Sequence, residues 1–544
     1  MNGRNADLVV RAGTVHTLGT PERPITALAA RGGTVVAVAG PSEERDLLRE
    51  WTGPETITVD DPGLVVLPAF VDTHNHLMLA ARNTLGVPVS AAHDLTSMVE
   101  LIRRRAADTP AGEWIVTAAD WHELQLAEKR LPTAAELDRA TSIHPVLVLR
   151  GGHNAVLNSV ALRLAGIGPD TPDVPGGFVG RDAAGRPTGW LQDAALEPVA
   201  RIVPPPPEAA LADGLAAASA HYAAHGIGTV RDPAVTPHEW HAYRRAEAAG
   251  RLSVASHTMI WTMPEAIDAA GSVSGYLDGL EAQGITPKPA QGRLRVWGLK
   301  FVLDGGVEAA ALSEPYADRP GFTGRLLWER ADLVEALATC VKRGWPVGTH
   351  ALGDRAIALL LEAIRVVTDR HGRLPPGMLV IEHGGLITPE QIAEAVALGV
   401  HITVQQALLT GLAAPVIASW GPHRAAAMFP FRELLDAGAW ISAGTDHPVV
   451  SLDPLQGVHD MTTRHTPMGT LGAEHAITRA EALRLYTTAG AHFLGRHSGT
   501  PLTPGAPADL VAYPVDPLTC PVDQLTALAP ALTAIEGRIT HQTD

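Results

Sequence analysis

The middle of the chain repeats one pattern, in which a short apolar run is followed by a turn and then by a helical stretch. Eight runs of this kind follow one another: LVVLPAFVDTHNH, GIGTVRDPA, SVASHTMIW, RVWGLKFVLDG, WPVGTHALG, MLVIEHGGL, HITVQQA and AWISAGTDHP. Apolar runs of this length, bounded by Gly and Pro, are typical of buried parallel strands, which need helical crossovers between them. Eight successive βα units predict an α/β fold, a TIM (β/α)8 barrel with these runs as its strands.

The two ends of the chain differ from this middle part. Residues 7–66 alternate short strand patterns with turns, and the C-terminal segments ADLVAYPV and ALTAIEGRITHQ repeat that texture. We therefore expect residues 1–66 and 498–544 to form one small β-sandwich beside a barrel of residues 67–497. The first two barrel strands are much further apart than one helix and its loops require, so residues 80–200 are expected to form an inserted subdomain over the barrel mouth.

Composition and charge exclude several kinds of partner. The net charge of −16 argues against a nucleic acid or an anionic membrane, since either needs clustered Lys and Arg. No apolar run is long enough to span a bilayer, and the segment MNGRNADLVVRAG lacks the apolar core of a secretory signal. The chain has only two cysteines, which is too few for a disulfide framework and favours a reducing compartment. We expect a soluble, cytoplasmic protein that acts on a small molecule, and a homodimer is one assembly that the sequence permits.

Histidines and an aspartate end four of the predicted barrel strands. His74 and His76 stand two residues apart at the end of the first strand, which puts both imidazoles on one side of it. His350, His383 and Asp446 close the fifth, sixth and eighth strands. Imidazole is the commonest metal ligand, and barrel enzymes carry their catalytic groups at these strand ends. The pattern favours a metal centre over structural histidines.

A lysine lies inside the fourth predicted strand. Lys300 stands between Leu299 and Phe301, and an unpaired ammonium inside a barrel is costly, so burial should lower its pKa and favour the neutral amine. A neutral amine can take up carbon dioxide and form a carbamate, which is able to bridge two metal ions. The alternative is that Lys300 pairs with Asp304 or another acid.

A series of longer motifs resembles one known family. The motifs are PAFVDTHNHL, HNAVLNSVAL, PGGFVGRDAAGRPTGWLQ, GIGTVRD, GLKFVLDGG, LSEPYADRPGFTGRLLW, THALGDRAI, IEHGGLI, FPFRELLDAGAWISAGTDHPV and DPLQGV. In this order they resemble the amidohydrolase superfamily, in the branch called amidohydrolase family 3. The resemblance is greatest to the YtcJ-like group, which includes the N-substituted formamide deformylases.

The resemblance implies a set of metal ligands and a role for each. The implied ligands are His74, His76, Lys300, His350, His383 and Asp446. The two histidines of the first strand would bind the more buried ion, those of the fifth and sixth strands the second ion, and the lysine, as a carbamate, would bridge them. Asp446 would also be the general base. The ions are expected to be two zinc ions that lower the pKa of a shared water.

Four further positions are candidates for contact with substrate: His153, Asp304, Gln405 and Arg432. His153 belongs to the predicted insert, where a structural loop histidine is the alternative. Asp304 follows the lysine on its strand, and we favour a positioning role for it. Core and surface explanations are equally good for the other two. Glu382 should face away from His383 on a strand, so we assign it a structural role.

The expected reaction is hydrolysis of a C–N bond other than a peptide bond. The substrate would be an amide or N-substituted formamide of a small organic molecule, attacked by a metal-activated hydroxide. Two alternatives remain open. One is hydrolysis of a cyclic amide, a lactone or another ester at the same site, and the other is a lyase or isomerase reaction on the same scaffold. A binding protein without activity is disfavoured because every implied ligand is present.

Overall fold

A computed structural model describes most of the 544-residue chain. The described ranges are 5–19, 24–151, 154–172, 177–287, 292–496 and 501–543. The strands are β1 Leu8–Val15, β2 Ala27–Arg31, β3 Thr34–Ala39, β4 Ile57–Pro68, β5 Phe70–Asp72, β6 Ile115–Val116, β7 Val146–Arg150, β8 Asn154–Leu157, β9 Gly177–Arg181, β10 Pro187–Asp193, β11 Ile227–Val235, β12 Ala255–Trp261, β13 Leu294–Val302, β14 Val347–Ala351, β15 Leu379–His383, β16 His401–Val404, β17 Trp440–Ala443, β18 His465–Thr466, β19 Gly469–Thr470, β20 Leu510–Tyr513, β21 Leu532–Ile535 and β22 Arg538–Gln542.

Helices connect most of these strands. They are α1 Glu44–Trp51, α2 Leu77–Asn83, α3 Leu95–Ala107, α4 Ala134–Leu137, α5 Ser159–Leu164, α6 Glu197–Ala200, α7 Glu208–Ala224, α8 Pro237–Ala248, α9 Pro264–Ala269, α10 Val273–Ala282, α11 Arg330–Arg343, α12 Asp354–His371, α13 Pro389–Leu398, α14 Gln406–Gly411, α15 Ala413–Trp420, α16 Pro422–Ala427, α17 Phe431–Asp436, α18 Pro454–Thr463, α19 Arg479–Arg484 and α20 Gly490–Phe493. In the described part of the chain, no helix is both long enough and apolar enough to cross a membrane.

The barrel is an eight-stranded parallel sheet in the order β5-β11-β12-β13-β14-β15-β16-β17. Its first and last strands meet just beyond β5, where Thr73 N donates to Ala443 O at 3.2 Å and Asp446 N to His74 O at 2.8 Å. Gly444 permits this approach, because a Cβ there would lie 2.5 Å from His74 N. The predicted TIM barrel is confirmed, and each of the eight apolar runs contributes one of its strands.

The two chain ends share one sheet of seven strands, in the order β22-β21-β20-β4-β1-β2-β3. Strand β4 pairs in parallel with β1, and its last residues pair antiparallel with β20, where Leu510 lies opposite Pro68. Buried apolar side chains from both ends, such as Leu8 and Leu510, form one cluster. The run LVVLPAF is therefore divided, since Pro68 ends a strand of this sheet and Phe70 begins the first barrel strand.

The segment between α2 and α7 contains its own sheet, in the order β6-β7-β8-β10-β9, together with α3 to α6. We call this segment the insert. Its helix α3 begins at Asp94, which accepts a hydrogen bond from Ser97 N at 2.7 Å in a capping box. Two apolar clusters, one around Met98 and Val148 and one around Ala161 and Leu191, give the insert its own core.

Candidate metal centre

His74 and His76 lie in the loop that follows the first barrel strand. The prediction placed them on that strand, but β5 ends at Asp72. The chain turns there because α2 starts immediately afterwards, and His76 is the residue that precedes its first turn. The two imidazoles nevertheless lie close together, with ring centroids 5.6 Å apart.

Asp446 joins the two histidines of this loop. Its Oδ1 lies 3.1 Å from His76 Nε2 and 3.4 Å from His74 Nε2. One possible ligand atom from each of the three residues lies within 4.8 Å of the other two. Asp446 is buried, with 4% of its surface exposed. This spacing is compatible with a single ion bound by all three groups.

Of the remaining two histidines, His383 lies beside His74 and His350 lies beside His383. The ring centroid of His383 lies 4.5 Å from that of His74 and 4.5 Å from that of His350. His383 and Asp446 have φ values of 75° and 60°, a left-handed conformation that side chains other than Gly rarely adopt. Backbone strain of this kind concentrates at functional sites, and here it directs two strand ends towards the loop of His74.

Lys300 is buried in β13, with 2% of its surface exposed. Its Nζ has no hydrogen-bond partner among the described residues. Burial lowers its pKa to about 8, with a further contribution from Arg231 that Glu382 and Asp446 oppose. The alternative partner, Asp304, accepts instead from the backbone N–H groups of residues 311, 352 and 353 at 2.9 to 3.0 Å. Within the described ranges, Lys300 is therefore an amine without a counter-ion in contact.

Burial of His74 and His383 favours the neutral form of both imidazoles. Burial and the nearby Lys300 lower the pKa of His74 to about 4, and burial and His74 lower that of His383 well below its usual value. Burial alone would raise the pKa of Asp446, but the hydrogen bond with His76 and the neighbouring imidazoles outweigh it and lower that pKa. Neutral imidazole and carboxylate are the forms that bind metal ions.

A buried network that the sequence did not indicate orients His74. His74 Nδ1 lies 2.5 Å from Glu382 Oε2, which also accepts from Thr403 Oγ1 at 2.7 Å. Arg231 donates to both carboxylate oxygens of Glu382. Burial opposes ionisation of Glu382, but Arg231 and His74 hold its pKa well below the usual value. Glu382 is thus a positioning residue for a proposed ligand.

Glu382 was expected to face away from His383 and to be structural. The alternation of a strand predicts this, but the left-handed φ of His383 interrupts the alternation at the strand end, so that both side chains contact His74. The available signal was a charged residue inside an apolar strand, IEH, together with Arg231 in GTVRD. A buried acid and a buried arginine require partners.

The positions predicted to bind substrate have different surroundings. Gln405 is fully buried, and its Oε1 lies 2.6 Å from His383 Nδ1, so it orients an imidazole. Asp304 is also fully buried and holds backbone amides. Arg432 pairs with Asp436 at 2.7 Å and with Glu481 at 3.1 Å, outside the cavity described below. Contact with substrate stays a prediction for these three residues, and Asp304, whose Oδ1 also lies 3.4 Å from His350 Nε2, is placed as the positioning role requires. His153 lies outside the described residues.

A cavity of about 330 Å³ opens above the metal-ligand candidates. His74, His76, Lys300, His350, His383 and Asp446 all line it. Its upper wall includes apolar side chains, such as Trp261 and Leu408, and residues of the insert, such as His122 and Arg150. Arg150 pairs with Glu123 of the insert at 2.9 Å and connects the insert to the barrel through an ion pair with Glu308 at 3.0 Å. We call this space the first cavity.

These residues suit a divalent metal centre. Four imidazoles, a carboxylate and a buried amine converge on the floor of one cavity, and the first two groups are common zinc ligands. A family model described as "Amidohydrolase family" matches residues 58–541. The chain belongs to the amidohydrolase family. The resemblance inferred from the sequence motifs is thereby confirmed, and the protein is a metal-dependent hydrolase of this family.

Relatives of the amidohydrolase family match along most of the chain. N-substituted formamide deformylase of Arthrobacter pascens is 27% identical over 511 residues, covering 90% of this chain and 90% of that protein. The putative amidohydrolase YtcJ of Bacillus subtilis strain 168 is 27% identical over 472 residues, covering 84% of each. The crystal structure of an uncharacterized metal-dependent hydrolase from Pyrococcus horikoshii OT3 matches with a TM-score of 0.75 at 23% identity, covering 95% of this chain and 99% of that one, which supports the fold.

Proposed function

We propose that this amidohydrolase cleaves a non-peptide C–N bond of a small amide, with N-substituted formamides as the leading substrate class. The observation that carries the proposal is the convergence of four histidines, Asp446 and the unpartnered Lys300 on the floor of the first cavity. The match to N-substituted formamide deformylase of Arthrobacter pascens supports the choice of a formamide. A cavity of about 330 Å³ suits a small organic molecule.

Two zinc ions are the proposed cofactors. His74 and His76 would hold one, His350 and His383 the other, and Lys300 as a carbamate would bridge them, while Asp446 adds a carboxylate. When bound, such ions supply Lewis acidity that polarises a carbonyl group and acidifies water. The lowered pKa of Lys300, about 8, favours the carbamate because carbon dioxide reacts with the neutral amine.

The chain's own residues provide positioning and proton transfer. Glu382 and Gln405 hold the imidazoles of His74 and His383 through their Nδ1 atoms, which fixes the ring orientations. Asp446 would accept the proton of the attacking water at a carboxylate oxygen and deliver it to the departing nitrogen. The apolar wall of the first cavity excludes other water from the reacting groups.

A hydrolysis screen tests the proposal. Zinc-loaded enzyme is incubated in ¹⁸O-labelled water with N-substituted formamides, N-acyl amines, lactams and lactones, and products are measured by mass spectrometry. We expect amine and an ¹⁸O-labelled acid from the formamides. Cleavage of lactones alone would show an esterase, and a product without the label would show a lyase or isomerase.

The role of Lys300 has its own test. We expect Lys300→Ala to lose bound metal and activity together, and expect propionate to restore part of both by replacing the carbamate. The matched control is Lys342→Ala, which removes an exposed lysine from α11. Metal content is measured by elemental analysis. Full metal content and a normal rate in Lys300→Ala would contradict the bridging role.

The wider setting of the enzyme was also predicted from the sequence. A cytoplasmic location and a homodimer stay predictions, and cell fractionation and sedimentation equilibrium measure them.

A further inference from the structure

A second cavity lies beside the first, between the insert and the barrel. Its volume is about 1000 Å³, about three times that of the first cavity. Trp114, Leu149, Leu196 and Val203 form part of its wall. These side chains are only partly buried, although they pack against an apolar cluster of the insert. A concave wall of partly exposed apolar side chains is suited to cover an apolar group of a ligand.

The two cavities share part of their walls. Leu79, Arg82, Thr236 and Glu239 line both of them. Arg82 lies in the last turn of α2, the helix that starts at the metal-ligand loop, and Glu239 lies in the first turn of α8. Arg82 Nη1 is 3.4 Å from Glu239 Oε1. An ion pair therefore stands at the boundary between the cavities.

This ion pair can separate without leaving a buried carboxylate unpaired. The Glu239 side chain is 7% exposed, but its Oε2 accepts from Thr236 N and Thr236 Oγ1, each at 2.9 Å. The Arg82 side chain is 39% exposed, so its guanidinium can reach water when it turns away. Partly exposed ion pairs contribute little to stability. The boundary is thus suited to a passage that a substituent of the substrate can open.

We propose that the second cavity binds a linear, uncharged alkyl substituent of the substrate, which passes between Arg82 and Glu239 while the amide lies in the first cavity. This inference rests on the proposed function for the position of the amide and adds the substrate class. The apolar part of the wall, which includes Trp114, Leu149 and Leu196, favours an uncharged tail, because a charged one would lose hydration against it. The first cavity is near the lower limit for ligand pockets, so a long substituent needs the additional space.

The first test fills the second cavity. Ala210 lines it, whereas the adjacent Ala209 is exposed and lines neither cavity. In Ala210→Trp we expect the ratio of kcat/KM for N-decylformamide to that for N-methylformamide to fall at least about tenfold relative to wild type. Ala209→Trp, the matched control, is expected to keep the wild-type ratio. An equal ratio in both variants would overturn the proposal.

A second pair of variants covers the case in which Ala210→Trp fails to fold. Val203 lines the second cavity and its neighbour Ile202 is 37% exposed. Val203→Trp is expected to lower the same ratio and Ile202→Trp to leave it unchanged, with folding checked by thermal melting.

Arg82→Ala removes one side of the ion pair between the cavities and is expected to raise the ratio. An unchanged ratio in Arg82→Ala would show that the substituent does not pass this ion pair.

Direct binding separates this inference from the proposed function. The dissociation constant of N-decylformamide is measured by calorimetry for the wild type, for Ala210→Trp and for Ala209→Trp. If wild type hydrolyses no formamide but binds this compound at least about tenfold more tightly than Ala210→Trp, with Ala209→Trp like wild type, the second cavity stands and the proposed reaction fails. If Ala210→Trp binds as wild type does, the second cavity is not the site.

Discussion

Two arginine–glutamate pairs of the same kind lie in different regions of the molecule. At the barrel centre Arg231 donates to both carboxylate oxygens of Glu382, and in the insert Arg130 donates to both oxygens of Glu136, at 2.9 and 2.7 Å. The first pair is fully buried, whereas the side chains of Arg130 and Glu136 are 48% and 18% exposed. Water can replace a partner only in the insert, so the loss of one carboxylate has different consequences in the two regions.

The difference matters for function because the buried pair lies directly beneath the proposed metal ligands. Arg231 and Glu382 position His74 from inside the barrel, where both side chains are fully buried. The insert contributes walls to the cavities, and its Arg130–Glu136 pair is partly exposed to water. We therefore expect changes at the barrel centre to have the larger effects on both activity and stability.

The largest expected effect is a loss of turnover when Asp446, whose carboxylate lines the first cavity, is changed. Asp446→Asn keeps the shape of the side chain but cannot accept a proton, so kcat is expected to fall about 10² to 10⁴ fold while at least one metal ion is retained. Steady-state kinetics and elemental analysis measure both. Asp436→Asn, at the exposed end of α17, is the control. A fully active Asp446→Asn enzyme would disprove the proton-transfer role.

The next effect is on stability at the barrel centre. Glu382→Gln removes the charge that neutralises Arg231, and an uncompensated buried charge costs about 3 to 5 kcal/mol. For a chain of this length the melting temperature is expected to fall by about 3 to 4 °C in calorimetry. The loss of His74 orientation should also weaken metal binding about 10 to 100 fold. A melting temperature equal to that of wild type would contradict the difference between the two regions.

A smaller loss of stability is expected from a substitution at Gly348, where the backbone of β14 passes close to the buried Arg231–Glu382 pair. A Cβ at Gly348 would lie 2.6 Å from Arg231 Nη2 and 2.5 Å from Met259 Cε, and would also meet Glu382. Gly348→Ala is therefore expected to destabilise the protein by about 1 to 3 kcal/mol. Gly279→Ala, in α10 where a Cβ meets no atom within 4 Å, is the control and should be neutral or stabilising. Melting temperatures of both variants provide the comparison.

The smallest effect is expected in the insert. Glu136→Gln should lower the free energy of unfolding by no more than about 1 kcal/mol, because the Arg130 side chain is half exposed. The hydrogen bond with Arg130 lowers the pKa of Glu136 from 4.5 to about 2. A lowered pKa in the folded state means that the contribution is complete above pH 4.5 and is lost as the pH falls towards 2.

The measurement for this last prediction is the difference in melting temperature between wild type and Glu136→Gln, followed from pH 6 to pH 3. The difference should be small at pH 6 and should shrink as the pH falls. If Glu136→Gln lowered the melting temperature at pH 6 as much as Glu382→Gln does, burial would not decide the strength of these ion pairs.

Much of the fold was predictable because the hydrophobic pattern of a parallel barrel is local. Each buried strand is a short apolar run, and all eight runs became barrel strands. The first run was predicted less well. LVVLPAF is equally apolar on both sides of Pro68, so its pattern cannot show that β4 belongs to the shared sheet of the chain ends and β5 to the barrel.

The proposed ligands could be named from the sequence, whereas most of the contacts that position them could not. A histidine at a strand end is visible in the sequence, but the partner of its Nδ1 atom lies far along the chain, as Glu382 does for His74. The sequence offered Gln405 as a candidate for substrate contact with equally good core and surface alternatives, and only the folded barrel shows that it contacts His383.

The sequence by itself determined the family, the barrel and the residue types that can bind metal, because apolar periodicity and short motifs are properties of neighbouring residues. Only the tertiary structure decided which charges are buried, which side chains they contact and where the insert lies. Burial and charge pairing arise between segments distant in the chain, as in Arg231 with Glu382 and Arg82 with Glu239. No local pattern encodes such distances, so they emerge only when the barrel closes and the insert packs on it.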